Sequence, residues 1–451
     1  MTVLPSNFRV YVSVLIGHFG LGISFFCLSW SSPILAKLDG TDDNPLGRKL
    51  SSIESSIIAS LPNVGGLLGS FFFGFIARKF GRRIAMISIG IPTLVAYPLL
   101  AVTTNIWEIY IARLLCGLTF GGFLTVDIMY FAEVSESSNR SVLGTAMMFF
   151  QSIAGVILLI IGPATTYFEF HVIFSVFSPV YLILAYLFLS ESPFYLVQKD
   201  YKKAEDCLKK LRGTNIVQDE LDDIKRSLEN NSQAHLREMF ESRALTKGLL
   251  IGCGLTIFQQ LNGLTVVTTY CQEIFDEVEG GVPSHIAPIL FSSILFLPSF
   301  AAPVLIQKLG IRIPLLASCI GIFISEFIFG SYFIMKDLGV TVSSLSWLPL
   351  CSILVFGISN SLGFCPIALA IVGEIFPMNY KEIATSVCAT LFNTFAFLAV
   401  LTFPYLRDFF GVGIVFWIYG GLTVVCTCFS YVFVVETKGK TLNQIIKELD
   451  T

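Results

Sequence analysis

The sequence predicts an all-α membrane protein with twelve transmembrane helices in two six-helix halves, joined by a cytoplasmic helical linker. The composition is the first reason: 54% of the 451 residues are hydrophobic, only 14% are charged, and the mean hydropathy is +0.76. A soluble domain carries about 25% charged residues. The second reason is a set of motifs that recurs halfway along the chain. We therefore expect the protein to lie in a lipid bilayer.

The apolar stretches account for the helix count. A helix needs about 20 predominantly apolar residues to cross a bilayer. The first stretch is not a cleaved signal peptide, because it is too long and lacks a small-residue cleavage site. Twelve stretches satisfy the length requirement, and they lie near residues 9–36, 53–77, 84–104, 107–131, 141–163, 167–189, 246–272, 285–307, 313–335, 347–372, 382–404 and 413–435.

The distribution of basic residues predicts the orientation. An even number of spans places both termini on one side of the membrane. If that side is the inside, the short inside segments hold twelve Lys and Arg residues and the outside segments hold five. Basic residues in short loops favour the cytoplasmic side, so both termini are predicted to be cytoplasmic.

The polarity of the chain predicts four segments. They are an N-terminal half (1–189), a linker (190–245), a C-terminal half (246–435) and a cytoplasmic tail (436–451). The linker contains YKKAEDCLKKLRG and ELDDIKRSLEN, which combine mixed charge with helical spacing of apolar residues. This pattern predicts short amphipathic helices on the cytoplasmic face.

An internal repeat predicts how the two halves are related. Glu133 and Arg140 end span four with a spacing of seven residues, and Glu374 and Lys381 end span ten with the same spacing. The two acids are 241 residues apart, and the glycine turns after spans two and eight are 229 residues apart. Such a duplication predicts a substrate site near mid-membrane between the halves, with access alternating from one side to the other.

Several functional classes are not supported by the sequence. The net charge of −3 offers no basic surface for nucleic acid. The eleven cysteines are scattered without a CxxC pair or a Cys/His cluster, so neither a metal site nor a disulfide framework is expected. No phosphate-binding GxxxxGKS loop, HExxH motif or nucleophile–base arrangement is present, so we expect neither an enzyme nor a cofactor.

Six motifs in order resemble one transporter family over nearly the whole chain. They are GFIARKFGRR (74–83), YFAEVSESSNR (130–140), ESPFYL (191–196), QQLNG (259–263), EIFPMNYK (374–381) and ETKGK (436–440). This set resembles the sugar porter family of the major facilitator superfamily. The stretch WSSPIL (30–35) is similar to the insect facilitated trehalose transporter-like branch.

The resemblance implies a function and a setting. It implies facilitated transport of a sugar, trehalose or a hexose such as glucose, across the plasma membrane by alternating access. The expected partners are a small-molecule sugar and the lipid bilayer, and the expected functional unit is a monomer. Trehalose and hexose are not separated by the sequence.

Two adjacent glutamines in span seven are the first candidates for substrate contact. Gln259 and Gln260 lie within the apolar stretch FQQLNGLTVVTTY. An amide can donate to and accept from sugar hydroxyls, and its desolvation costs less than that of a charge. Hydrogen bonding between helices is the alternative role. The resemblance adds four further substrate contacts: Gln151, Thr265, Tyr270 and Asn393.

The chain departs from the family pattern at some of these places. Thr265 and Thr269 stand where the family has an asparagine and a tyrosine, and Leu369 stands where span ten has a tryptophan. Arg78 replaces an acid in the loop after span two. The first three replacements predict an altered substrate preference or a weak affinity, and the loss of the acid at Arg78 predicts a less stable outward-open state.

Charged residues at the predicted inner ends of the spans are candidates for a cytoplasmic gate. The resemblance implies that they form salt bridges that hold one conformation and break in the other. Anchoring of span ends at the lipid headgroups is the alternative. The candidates are Arg82, Arg83, Glu133, Arg140, Glu191, Glu374, Lys381 and Glu436.

Three ionisable residues fall inside predicted spans and leave alternative functions open. The resemblance implies that proton-coupled members carry an acid on span one; residues 1–38 contain no Asp or Glu, which favours facilitated diffusion. His18, Asp127 and Glu326 are nevertheless candidates for proton linkage, because ionisable groups within a membrane usually serve a function. The alternatives are a proton-coupled sugar symporter and a non-transporting sugar sensor built on the same fold.

Overall fold

The computed structural model describes residues 8–40, 43–136, 139–229, 236–279, 281–296, 298, 301–440 and 442–450. Regular structure within these ranges is helical, with short connections and no strand. The helices up to residue 241 are α1 Phe8–Ser29, α2 Ser31–Asp39, α3 Ser52–Phe80, α4 Arg82–Ala101, α5 Ile106–Val134, α6 Arg140–Ala164, α7 Tyr167–Ser175, α8 Phe177–Phe188, α9 Pro193–Lys199, α10 Tyr201–Arg212, α11 Gln218–Glu229 and α12 Leu236–Glu241.

The remaining residues form ten further α-helices and two short helices of other types. The 3₁₀ helix is Ser343–Leu345 and the π-helix is Asn360–Phe364. The α-helices are α13 Arg243–Leu261, α14 Leu264–Asp276, α15 Ile286–Phe296, α16 Ala302–Leu309, α17 Arg312–Asp337, α18 Leu348–Ser359, α19 Cys365–Ile375, α20 Met378–Phe410, α21 Val412–Phe433 and α22 Leu442–Asp450.

The helices confirm an all-α protein built for a membrane. Among the described residues, eleven helical stretches are long and apolar enough to cross a bilayer. The remaining predicted span, 285–307, contains α15 and α16, and the residues between these helices are only partly described. Many large apolar side chains on the helix surfaces are exposed, among them Phe71, Phe72 and Phe75. A lipid-facing surface accounts for this exposure.

The helices are grouped into two compact units. Unit 1 comprises Met1–Lys49 and Leu61–Ser232, and unit 2 comprises Leu50–Ser60 and Gln233–Thr451. In unit 1, α1 packs along α5, α6 and α8, and α4 packs along α5, α7 and α8. Small residues permit this close packing of membrane helices. A Cβ atom on Gly121 of α5 would lie 1.8 Å from the carbonyl oxygen of Gly66 in α3.

Unit 2 repeats the packing scheme of unit 1. Its first long helix, α13, packs along α19 and α20, and α17 packs along α18 and α21. Counted in spans, the pairs one–four, one–five and three–six in unit 1 correspond to seven–ten, seven–eleven and nine–twelve in unit 2. Neighbouring helices are therefore equivalent in the two units, as expected from a duplicated six-helix half.

The linker forms the predicted amphipathic helices. Apolar side chains of α10, of α11 and of Val217 just before α11 form a common small core of Ala204, Leu208, Val217 and Leu221, against which Leu196 and Val197 pack. Arg212, at the end of α10, donates to the carbonyl oxygen of Val134 at the end of α5. The linker helices up to α11 therefore belong to unit 1 rather than forming a free connection.

Two interruptions of the helices in unit 2 position the polar residues described below. Span seven breaks between α13 and α14 at Gly263, whose φ of +77° is a conformation that favours glycine. Span ten contains the π-helical turn Asn360–Phe364, which ends two residues before Pro366. A proline lacks the N–H that continues an α-helix, and π-turns in helices are frequent at functional sites.

Candidate functional site

The two adjacent glutamines of span seven lie inside unit 2 with their side chains buried. Gln259 is 3% exposed and Gln260 is 1% exposed. The Gln259 amide nitrogen lies 3.2 Å from Cys365 Sγ on α19, and Gln260 Oε1 accepts a 2.6 Å hydrogen bond from Thr265 Oγ1. Gln259 therefore contacts span ten, whereas Gln260 forms a hydrogen bond across the break within span seven.

Two asparagines that the sequence did not single out join the same two spans. Asn262 donates from Nδ2 to Asn360 Oδ1 over 2.9 Å, and its own Oδ1 accepts from the N–H of Leu264. Asn360 Nδ2 in turn donates to the carbonyl oxygen of Phe356. The pair ties the break in span seven to the π-helical turn in span ten. Asn360 could have been noticed as an amide within the apolar run LVFGISNSLGF.

The other predicted substrate contacts of unit 2 lie on the same helices. Thr265 uses its hydroxyl on Gln260, and Thr269 donates to the carbonyl oxygen of Thr265. Tyr270 is fully buried; its hydroxyl donates to the carbonyl oxygen of Val400 and its ring stacks on Phe403 at 5.1 Å. Tyr270 therefore holds span seven against span eleven in this structure, because both its hydroxyl proton and its ring have partners.

Two buried amide oxygens are left without a hydrogen-bond partner among the described residues. They are Gln259 Oε1 on α13 and Asn393 Oδ1 on α20, two helices that pack together. An unpaired buried acceptor costs about 1–3 kcal/mol. A ligand with several hydroxyl donors would remove this cost. This is the chemistry that the polar cluster of unit 2 can supply.

The predicted contact of unit 1 is Gln151. It lies on α6, half-buried, and α6 packs along α1. The span-ten position that departs from the family, Leu369, has its side chain outside the described part of the structure.

The predicted cytoplasmic gate contains one strong ion pair, in unit 1. Arg82 at the start of α4 binds Glu133 near the end of α5 through two hydrogen bonds of 2.9 and 2.7 Å. Ser192 Oγ donates to the same carboxylate, and the guanidinium lies over the Tyr195 ring. Two-point binding of this kind fixes both distance and orientation.

Two other predicted gate residues have different partners from those expected. Glu191 accepts from the N–H groups of Arg82 and Arg83, and Glu436 accepts from those of Ile311 and Arg312. These N–H groups lie at the starts of α4 and α17, where Ile311 is the residue just before α17, so each acid caps a helix that is distant in sequence. A negative charge at a helix N-terminus is favoured by the unpaired N–H groups and the helix dipole.

A glycine makes each of these two caps possible. Gly81 and Gly310 precede the capped helices with φ values of +104° and +80°. A Cβ atom at either glycine would lie 2.3 or 2.4 Å from a carboxylate oxygen of Glu191 or Glu436. The glycine turns found in the sequence repeat therefore serve to admit a carboxylate. A sequence pattern cannot reveal this role, because each acid lies more than a hundred residues beyond its glycine.

The two capping acids differ in their protonation equilibria. Burial raises the pKa of Glu191, and this effect outweighs the hydrogen bonds from Ser192, Arg83 and Arg82. Burial also acts to raise the pKa of Glu436, but four backbone N–H groups together hold it below its ordinary value. Glu436 is therefore the acid that its surroundings keep ionised more effectively.

The remaining gate candidates do not form the predicted network within the described residues. Arg83 donates to the carbonyl oxygen of Tyr186. Glu374 accepts a 2.5 Å hydrogen bond from Thr437 Oγ1. The same kind of bond joins Glu133 and Ser192 in unit 1. Ile311 stands at the place of Arg82, so unit 2 lacks the corresponding guanidinium. Lys381 is exposed, and the Arg140 side chain lies outside the described part.

The three ionisable residues predicted within spans are all buried. Glu326 on α17 accepts a 2.9 Å hydrogen bond from Thr423 on α21, and its second oxygen has no partner among the described residues. His18 on α1 contacts Asp127 on α5 with 2.8 Å between Nδ1 and Oδ2. The buried Asp127 of span four is therefore paired with a histidine of span one.

Comparison with known proteins agrees with this architecture. The family model described as "Sugar (and other) transporter" matches residues 10–449. The chain is 30% identical over 446 residues to the facilitated trehalose transporter Tret1 of Drosophila pseudoobscura pseudoobscura, and 28% identical over 444 residues to that of Culex quinquefasciatus. The alignments cover 97% of this chain in both cases, with 50% and 84% of the respective relatives. The chain thus spans about half the length of most of the relatives it matches.

Solved structures show the same fold. The inward-open conformation of the xylose transporter XylE from E. coli superposes with a TM-score of 0.81, at 20% identity, covering 97% of this chain and 99% of XylE. At this identity the likeness shows the fold alone. The family match, by contrast, extends over nearly every span, the linker and the terminal helix. The chain therefore belongs to the sugar (and other) transporter family.

Proposed function

We propose that this protein moves a sugar across the plasma membrane by facilitated diffusion with alternating access. The observation that carries the proposal is the pair of buried, unpartnered amide oxygens on Gln259 and Asn393. A sugar offers the hydroxyl donors that these oxygens lack. The trehalose transporters among the relatives support trehalose as the first sugar to test, with glucose as the second.

The role of each residue follows from its contacts. Gln259 and Asn393 bind hydroxyl groups, and Gln151 of unit 1 stays a predicted contact. Gln260, Thr265 and Tyr270 shape the site by holding the broken span seven. Neutral amides suit a neutral solute, since binding leaves no buried charge uncompensated.

The gate of unit 1 has a role in the same proposal. The Arg82–Glu133 pair stabilises one conformation at the cytoplasmic ends of spans two to four. Both termini are cytoplasmic in this arrangement, as the distribution of basic residues predicts. Opening toward the cytoplasm then requires this pair to break or to move as a unit.

The test is uptake of radiolabelled trehalose and glucose into proteoliposomes that contain the purified protein. We expect saturable uptake that stops when the internal and external concentrations are equal. The variant Gln259→Ala should reduce the initial rate at low sugar at least about tenfold, which corresponds to about 1.4 kcal/mol of lost binding. The matched control is Gln307→Ala, which removes an exposed amide at the end of α16.

Three outcomes would contradict the proposal. Absence of uptake from correctly inserted protein would overturn transport of these sugars and favour a sensor. Accumulation above the external concentration would overturn facilitated diffusion. Equal losses in Gln259→Ala and Gln307→Ala would remove Gln259 from the substrate site.

A further inference from the structure

Six of the eleven cysteines meet in pairs across neighbouring membrane helices, and the two thiols of each pair lie within hydrogen-bonding reach. The pairs are Cys27 of α1 with Cys116 of α5, Cys253 of α13 with Cys388 of α20, and Cys319 of α17 with Cys426 of α21. All six are free thiols. Five of these side chains are buried, and Cys253 is the one that is partly exposed. One pair therefore combines a contact between thiols with access for a small reagent.

The sulfur of Cys388 lies against one turn of α13, from Gly252 to Thr256. A Cβ atom on Gly252 would lie 3.3 Å from Cys388 Sγ, so the absence of a side chain there admits the sulfur. The Thr256 hydroxyl lies within hydrogen-bonding reach of the same sulfur, and it donates to the Gly252 carbonyl oxygen over 2.8 Å. Cys253 directly follows the glycine, and its thiol hydrogen-bonds with that of Cys388. Close packing of α13 on α20 thus holds the two thiols together.

The depth of the two cysteines explains why they meet. Cys253 is ten residues after the first residue of α13, and Cys388 is ten residues after the first residue of α20, about 15 Å along each helix. Both helices belong to odd-numbered spans, so they run in the same direction. The proposed sugar contacts Gln259 and Asn393 lie six and five residues further along, which is about 8–9 Å. The thiols therefore lie between the proposed sugar site and the helix starts, which we place in the cytoplasm.

A disulfide between these thiols would disturb the proposed sugar site. Bonded sulfur atoms are closer together than two thiols in contact, so the bond draws α13 toward α20. The packing at this point has little free space, because the Cβ position of Gly252 is also 3.0 Å from Val372 on α19. The helices themselves must therefore shift. Gln259 and Asn393 lie on these two helices, so their relative position changes with the bond.

The oxidation needs one molecule of a hydroperoxide, of which hydrogen peroxide is the simplest. The Cys253 sulfur attacks one peroxide oxygen, the O–O bond breaks, and a sulfenic acid and one water molecule form. The Cys388 sulfur then attacks the sulfenic sulfur, the S–O bond breaks, and the departing oxygen takes the Cys388 proton as a second water molecule. Two thiols thus give two electrons to one peroxide. Cys253 reacts first because it is the partly exposed member of the pair.

We propose that Cys253 and Cys388 form a modification site that hydroperoxides convert to a disulfide, and that this bond lowers sugar transport until a thiol reductant removes it. The reductant acts by thiol–disulfide exchange and restores both thiols. The effect on transport rests on the proposed function, whereas the disulfide itself is detected without any transport.

The first test detects the bond. Purified protein in proteoliposomes is treated with hydrogen peroxide, free thiols are blocked with N-ethylmaleimide, and the digest is analysed by mass spectrometry. We expect linked Cys253–Cys388 peptides that dithiothreitol abolishes. The two buried pairs are matched controls, since they have the thiol contact without the access, and they should yield at least about tenfold less linked peptide. Equal linkage in all three pairs, or no Cys253–Cys388 link at a peroxide dose that oxidises the exposed Cys351 and Cys428, would overturn the proposal.

The second test measures the consequence by equilibrium exchange of labelled trehalose. Peroxide should lower the wild-type rate at least about threefold, and dithiothreitol should restore it. Cys253→Ser and Cys388→Ser should each keep their own rate after peroxide treatment. Cys365→Ser should remain inhibited, although Cys365 is the thiol that contacts Gln259.

The two tests separate failure of the site from failure of the proposed function. Wild-type protein that moves no trehalose contradicts the proposed function, and the linked peptides then still decide whether the thiol pair is oxidised. Inhibition that persists in both pair variants, inhibition that Cys365→Ser removes, or linked protein with an unchanged exchange rate would each overturn control of transport by this pair.

Discussion

The contact between Gln259 and Cys365 provides a way to observe the proposed sugar site by experiment. The amide nitrogen of Gln259 lies 3.2 Å from the thiol of Cys365, on a different span of the same unit. Cys365 is only partly buried, so a reagent can reach its thiol. The rate of its modification should therefore change when a molecule binds beside Gln259. A cysteine at this place had no evident role in the sequence, where it was one of eleven.

Sugar bound at Gln259 should protect Cys365 from thiol reagents. The measurement is the rate of alkylation in a chain whose exposed cysteines, Cys351 and Cys428, are replaced by serine. We expect trehalose to slow the modification of Cys365 severalfold. Cys207 on α10 of the linker is the internal control, because it lies outside the proposed sugar site and its rate should be the same with and without sugar. Equal rates at Cys365 with and without sugar would place the substrate elsewhere.

At the scale of one element, span seven is built around its interruption. Gly263 adopts φ +77°, and its backbone lies against the Tyr419 ring of α21. The side chain of Asn262 caps the new helix α14 through the N–H of Leu264. The break follows the two glutamines within three residues, so the regular helix does not continue beside their side chains. Broken helices at membrane depth are tolerated where other groups satisfy the backbone.

Substitution of Gly263 should destabilise the protein through both backbone and packing. A Cβ atom there would lie 2.9 Å from the Tyr419 ring, and a left-handed conformation costs an L-residue about 1–2 kcal/mol. We expect Gly263→Ala to lower the thermal unfolding midpoint in detergent by several degrees. Gly421→Ala is the matched control, because no atom lies within 4 Å of its Cβ position. If both variants melt together with the wild type, the break is not held by this glycine.

At the scale of the whole molecule, one arginine connects the linker to the membrane helices of unit 1. Arg212 donates to the carbonyl oxygen of Val134 and forms ion pairs with Glu136 and Glu220 at 3.3 and 2.7 Å. It is 9% exposed, so these contacts are less screened than surface pairs. The arginine thus links α10, α11 and the end of α5.

Loss of Arg212 should release the linker helices. We expect Arg212→Ala to increase the rate of tryptic cleavage within α10 and α11 at least about fivefold, because two or more charge-assisted hydrogen bonds are lost. Arg226→Ala is the control, since Arg226 pairs with Asp223 on the exposed face of α11 and such pairs contribute little. Cleavage rates that match between the two variants would show that the apolar core of the linker suffices to dock it.

The sequence by itself determined the fold class, the linker helices and the family. These depend on local properties, namely apolar runs, helical spacing and short motifs, which survive without knowledge of distant contacts. It also pointed to Gln259 and Gln260, because amides in an apolar span are conspicuous. The contacts that residues make with other helices were harder to predict from the sequence. The acids of the gate motifs were predicted as salt-bridge partners, yet Glu191 and Glu436 cap helices.

Only the tertiary structure decided which polar groups meet. Asn262 meets Asn360, Arg82 meets Glu133, and His18 meets Asp127, and none of these pairs is close in sequence. Their physical basis is the same in each case. A buried polar group must find a partner, and in a helical membrane protein that partner comes from another span. The packing of the spans selects the partner, and one sequence taken alone does not contain that packing.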